Sequence, residues 1–169
     1  MTDIPNNEDI SVEMLDLADD LFGPTFAASL RFDLDSAELK EAHREWLTDT
    51  AAPYLRNRIA FAEIYAFTDR SGAAEHNRQL SGRRLLAVQT FLSQNGVPQD
   101  KAFDPFFHKF FGERLSAEVG DIDGTRHAEA RLVKIGLWKH IFKVPSATLL
   151  QFGAIRFGRI QQQTDLELD

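Results

Sequence analysis

At 169 residues, with 43% hydrophobic and 27% charged side chains, the chain has the size and composition of one packed domain with short extensions, which excludes a disordered or fibrous protein. A net charge of -7 without a cluster of Lys and Arg excludes sequence-independent nucleic-acid binding, which works by neutralising phosphates. Cysteine is absent, so disulfides, thiol catalysis and thiolate metal sites are excluded as well.

Asp3, Glu8, Asp9, Glu13, Asp16, Asp19 and Asp20 crowd the start of the chain, where a secretory signal needs basic residues and then an unbroken apolar run. The sequence therefore predicts no signal peptide, and no stretch approaches the roughly 20 apolar residues of a membrane span. Ser11 is placed to cap a short amphipathic helix carrying Met14, Ala18 and Leu21 on one side and ending before Gly23 and Pro24. Leu30, Phe32 and Leu34 then alternate with Arg31 and Asp33, the period of a half-buried strand. Asp35 and Glu38 resemble the capping box of a following helix, whose stripe of Leu39, Ala42, Trp46 and Leu47 runs as far as Pro53 or Leu55.

From Ile59 to Thr68 both alternating sets are apolar or small, which predicts a central strand covered on both faces. Thr68, Asp69, Arg70, Ser71 and Gly72 form a turn into a second helix, which stops at Asn95 and Gly96 with Pro98 just beyond. Residues 97–111 read as a strand plus loop, and residues 132–138 as another strand, followed by an extension and a polar tail containing Gln161, Gln162 and Gln163.

On a wheel at about 100° per residue, the second helix turns Asn77, Leu80, Ser81, Arg84, Val88, Phe91 and Leu92 inward, with Glu75, Gln79, Arg83, Gln89 and Ser93 opposite. The inward stripe is apolar in its later half and polar in its first half. An arginine cannot shed its proton there, so Arg84 needs either a carboxylate partner or an opening that a ligand fills. Asp69, where the central strand ends, is the acid best placed to face the same cleft, and clefts beyond the carboxyl ends of strands are common ligand sites. A structural Asp69 to Arg84 salt bridge and a ligand site leave the same trace at this point.

Ala66, Phe67, Thr68 and Asp69, then Gly72, then Asn77, Leu80, Ser81, Arg84 and Leu85 reproduce the spacing of a known signature: a strand ending Gly-His-Thr-Asp, a turn glycine, and Asn-x-x-Leu-Ser-x-x-Arg-Ala on a helix. Phe32, Asp33 and Ser36 upstream, and Gly96, Val97, Pro98, Gly112 and Glu113 downstream, add further landmarks. Over roughly residues 29–137 the chain resembles the OmpA-like C-terminal domains, which also occur in flagellar stator proteins and peptidoglycan-associated lipoproteins. The resemblance implies a non-catalytic module in which Asp69 and Arg84 grip the ammonium and carboxylate of diaminopimelate in a peptidoglycan stem peptide. Thr68, Asn77 and Arg131 would complete the cradle. The chain departs from the pattern at Phe67, where the family has histidine, at Leu85, and at Glu129 and Ala130, where one family arginine is missing.

Phe103, Phe106, Phe107, Phe110 and Phe111 crowd one segment, read here as core, with a partner-binding patch as the alternative. His43, His76, His108, His127 and His140 show no metal-ligand spacing, and Ser71, Ser81 and Ser146 lack a nucleophile elbow, so neither a metal, a cofactor nor catalysis is expected. The fold expected is an α+β, OmpA-like βαβαβ sandwich with a small mixed sheet over residues 29–138. An acidic N-terminal helix at 1–28 and a C-terminal extension at 139–169 flank it. The function expected is anchoring of a larger assembly to the cell wall, with a degenerate adaptor in a secretion, phage-tail or injection machine as the alternative. The resemblance implies the cell envelope or periplasm, whereas the missing export signal leaves a cytoplasmic or assembly-associated place open.

Overall fold

The computed structural model describes residues 5–14, 24–114 and 130–139. Its first element is a strand, β1 (Ile10–Met14), where the Ser11 cap predicts a helix. The reason is a two-residue period, in which Ile10 and Val12 are buried while Ser11 and Glu13 are not, and the segment pairs antiparallel with the next strand, Ile10 opposite Leu30 and Met14 opposite Phe26. The remainder of the expected N-terminal helix, residues 15–23, lies outside the described residues, as do Glu129 and residues 140–169.

Strand β2 (Pro24–Arg31) begins earlier and ends sooner than the alternation of Leu30, Phe32 and Leu34 suggests. Phe32 is still buried, but the chain then turns, and Asp35 takes a φ of 53°, a left-handed conformation that Asp tolerates better than most residues. That turn moves the helix start. Helix α1 (Glu41–Trp46) follows a cap at Lys40, whose N–H donates to His43 Nδ1 at 3.1 Å, so Asp35 and Glu38 do not form the capping box. A π-helical turn (Leu47–Ala51), in which the Ala52 N–H reaches back to Leu47 O, leads into α2 (Ala52–Leu55), and Pro53 is admitted in the first turn of α2.

Strand β3 (Ala60–Ala66) is buried at all seven positions, Glu63 included. Helix α3 (Ala74–Gln94) ends at an Asn95 cap followed by Gly96 at φ 85°, as the sequence predicts. Its buried residues are those of the inward stripe, except that Leu85 is buried and Phe91 only partly so. Residues 97–111 hold a four-residue helix, α4 (Gln99–Ala102), and a three-residue strand, β4 (His108–Phe110), in place of one longer strand. Strand β5 (Leu132–Lys139) closes the fold.

The five strands form one mixed sheet in the order β1-β2-β5-β3-β4, antiparallel throughout except for β3 beside β4. The helices bury Trp46, Leu47, Leu55, Val88 and Leu92 against Ala62, Ile64, Val133 and Ile135, in one continuous apolar core. The other face of the sheet carries Phe61 stacked on Trp138 at 5.7 Å, and Tyr65 edge-on to Phe111. Of the crowded phenylalanines, Phe107 and Phe111 are core while Phe106 and Phe110 are 53% and 40% exposed, so the segment is divided between the two readings.

Candidate ligand cleft

Asp69 and Arg84 meet at the carboxyl end of β3, on the walls of one cleft of about 210 Å³. The segment leaving β3 delivers Asp69; α3 delivers Asn77, Leu80 and Arg84; and the turn after β2 delivers Leu34 and Asp35. Ser71, Gly72 and His76 finish the wall, and Gly72 takes φ 83° to turn the chain from strand to helix.

Arg84 is 1% exposed, and three backbone carbonyls satisfy it in place of an acid. Its Nε donates to Ser36 O at 2.8 Å, Nη1 to Phe67 O at 2.8 Å and Nη2 to Asp33 O at 3.1 Å. The ring of Phe32 lies beneath it, 5.2 Å from guanidinium carbon to ring centroid. Burial lowers its pKa to about 10, opposed by the Asp69 charge, so the group remains a cation at neutral pH.

Asp69 is 3% exposed, and its direct ion pair is with Arg131. Oδ2 accepts from Arg131 Nε at 2.5 Å, and Oδ1 accepts from the Ser71 N–H at 2.9 Å. Burial pushes the Asp69 carboxyl upward, but the hydrogen bonds from Arg131 and Ser71 outweigh it and hold the group below its ordinary value of 3.8. The simple Asp69 to Arg84 salt bridge is therefore replaced by two cations flanking one carboxylate, each held by a different part of the chain.

Of the other expected site residues, Asn77 lines the cleft, donating through Nδ2 to Asp69 O at 3.3 Å and to Glu113 Oε2 at 3.0 Å. Thr68 is buried behind the wall: its Oγ1 donates to Asp69 O at 2.9 Å, and its N–H donates to Gly112 O at 2.8 Å. The departure at Phe67 is absorbed structurally, since its ring is fully buried and stacks on Phe111 at 5.4 Å.

The rim of the cleft was not legible as a site in the sequence. His76 Nε2 and Asp35 Oδ1 meet at 2.5 Å across its mouth, both well exposed. The only signal was a turn-forming Leu-Asp-Ser run after β2, and nothing in its spacing pointed toward α3. Lys40 holds the same turn from outside, with Nζ 3.0 Å from Asp33 Oδ1 and 2.8 Å from Asp9 Oδ1.

A larger hollow of about 500 Å³ lies between α3 and β4, lined by Leu85, Phe103, Pro105, Phe110 and Phe111 among others. It is apolar and gathers no opposed charges, so the smaller cleft is the better candidate for specific recognition. Among the described residues no group of three or more His, Asp or Glu could hold a metal ion, and no helix is long and apolar enough to cross a membrane.

Comparison with solved structures places this architecture. A peptidoglycan-associated lipoprotein from Burkholderia pseudomallei superposes with a TM-score of 0.54 and 25% identity, over 64% of this chain and 88% of that one. The OmpA-like domain of FopA1 from Francisella tularensis gives 0.55 at 15% identity, over 80% of this chain and 79% of that one. The cell wall anchor of the T6SS from Pseudomonas aeruginosa gives 0.53 at 16% identity, over 79% and 89%. No curated protein sequence matches the chain. A family model described as the OmpA family matches residues 31–120, more than half of the sequence and the whole of the candidate cleft, and the chain therefore belongs to that family.

Proposed function

We propose that this chain is a non-catalytic binding module that holds the diaminopimelate of a peptidoglycan stem peptide and so ties a larger assembly to the cell wall in the bacterial envelope. The observation that carries this reading is the placing of a fixed cation, Arg84, and a fixed anion, Asp69, on the walls of one cleft sized for an amino-acid head group. A carboxylate accepts ammonium hydrogen bonds and a planar guanidinium binds a carboxylate, so the pair matches a zwitterion in both charge and polarity. Asn77 supplies a polar wall, while Thr68 and Arg131 fix the peptide and carboxylate of Asp69. The fold likeness to a lipoprotein described as peptidoglycan-associated and to a cell wall anchor supports the same reading.

Retention on purified sacculi tests it. The parent protein should pellet with sacculi, and Asp69→Asn and Arg84→Lys, each checked for folding by circular dichroism, should stay in the supernatant. A parent that also stays in the supernatant overturns the proposal. One observation favours the alternative of an adaptor that has given up glycan: both Asp69 oxygens are already engaged within the chain. The exposed rings of Phe106 and Phe110 beside the apolar hollow would then be the working surface.

A further inference from the structure

Arg131 comes from the residue just before β5 and reaches an acid 62 positions away in sequence, at a distance of 2.5 Å. The carboxylate it meets is 3% exposed and lines the cleft, and its other oxygen is held by the Ser71 N–H. A guest ammonium and the Arg131 guanidinium therefore seek the same oxygen. Arg84 competes with nobody in this way, since the carbonyls of Asp33, Ser36 and Phe67 hold it from behind.

We propose that Arg131 is a specificity-determining residue of the cleft, an internal counter-cation that the ammonium of an incoming zwitterion must displace from Asp69 Oδ2. This rests on the reading of the cleft as a zwitterion site. The consequence is an asymmetry between the two halves of a guest. Its carboxylate finds a preformed partner in Arg84, whereas its ammonium gains Asp69 only at the expense of an existing ion pair. Arg131 thus weakens binding of amino acids relative to plain carboxylates of the same length, and sets how tightly the module holds its anchor.

Titration calorimetry with two probes, diaminopimelate and pimelate, which differ only in the amino groups, separates the possibilities. Arg131→Gln should raise affinity for diaminopimelate by roughly tenfold, the change expected for losing one part-buried ion pair, and leave pimelate unchanged. Diaminopimelate bound by the parent but no more tightly by Arg131→Gln overturns the counter-cation while the zwitterion site stands. Equal gains for both probes also overturn it, because Arg131 would then act only by filling space. If neither protein binds diaminopimelate, the zwitterion site and the counter-cation fall together. Should Arg131→Gln fail to fold, the parent decides: saturating diaminopimelate should move the Arg131 Nε–H resonance to that of a solvated guanidinium, and pimelate should not. An unmoved resonance at saturation overturns the proposal.

Discussion

Arg84 lies over Phe32, guanidinium carbon 5.2 Å from the ring centroid, and from that seat ties the turn after β2 to the end of β3 through carbonyls on both. The residue that gives the cleft its positive wall is also a brace, reaching back 48 and 51 positions to the turn after β2 and 17 to the end of β3. Removing it to alanine leaves an aromatic ring without its cover and takes the arginine donor from the Ser36 and Phe67 carbonyls, while Asp33 O keeps the Ser36 N–H at 3.2 Å. Each such loss costs about 1–3 kcal/mol.

Arg84→Ala should therefore destabilise the fold by about 3–5 kcal/mol, measured as a lower midpoint in urea at unchanged slope. Arg84→Lys, which keeps the charge and one donor at a time, should cost less than half as much. Equal midpoints for Arg84→Ala and the parent would show that the carbonyl brace contributes nothing.

His108, buried between sheet and helix, makes stability depend on pH. Its Nε2–H donates to Ala62 O at 3.1 Å, while Nδ1 accepts from Gln89 Nε2 at 3.0 Å and from the Asp104 N–H at 3.3 Å, so the neutral ring satisfies β3, α3 and the loop before β4 at once. Burial pushes its pKa down to about 4, only partly offset by Asp104. The unfolded chain binds this proton near pH 6.5 and the folded one does not until about pH 4. Stability is thus full above the unfolded value and falls as pH drops from about 6.5 to 4, by about 3 kcal/mol at most. His43, lowered by burial as well, acts in the same direction. Urea titrations at pH 7.5 and pH 5 should show this loss in the parent and a smaller one in His108→Gln.

Gly112 sits where a side chain would be strained. Its φ is 59°, and a Cβ built there would lie 3.0 Å from the Arg78 backbone nitrogen and Cα. Its N–H donates to Ser81 Oγ at 2.8 Å and its carbonyl accepts the Thr68 N–H, so the close approach links α3 to the strand end that carries Asp69. Gly112→Ala should cost about 1–3 kcal/mol and lower the melting temperature, and, under the proposed function, weaken retention on sacculi as the strand end that carries Asp69 shifts. An unchanged melting temperature would mean that the backbone moves aside freely.

How much of this the sequence carried depends on how local each interaction is. Strand β3 and helix α3 are long, strongly patterned and bounded by Gly72 and Gly96, so their existence, their order and the convergence of Asp69 and Arg84 on one cleft can be read directly. Strand β1 could not be, because five residues among acids give Ser11 as good a claim to a helix cap as Ile10 and Val12 give to a strand. The partners of the charged pair were hidden for a different reason. Arg131 is 62 residues from Asp69, and the carbonyls on Arg84 belong to a turn whose side chains say nothing about where its backbone oxygens point. Phe106 and Phe107 show the same limit: neighbours of one type, one exposed and one buried, distinguished only by which side of a short loop they occupy.

The three carbonyls on Arg84 have a final consequence for kinetics. Because backbone oxygens set the orientation of the fork, under the proposed zwitterion binding an arriving anion would have no arginine rotamer to freeze and no competing acid to evict on that side. Encounter would then begin at the carboxylate end with little reorganisation, leaving the slower rearrangement to the opposite wall.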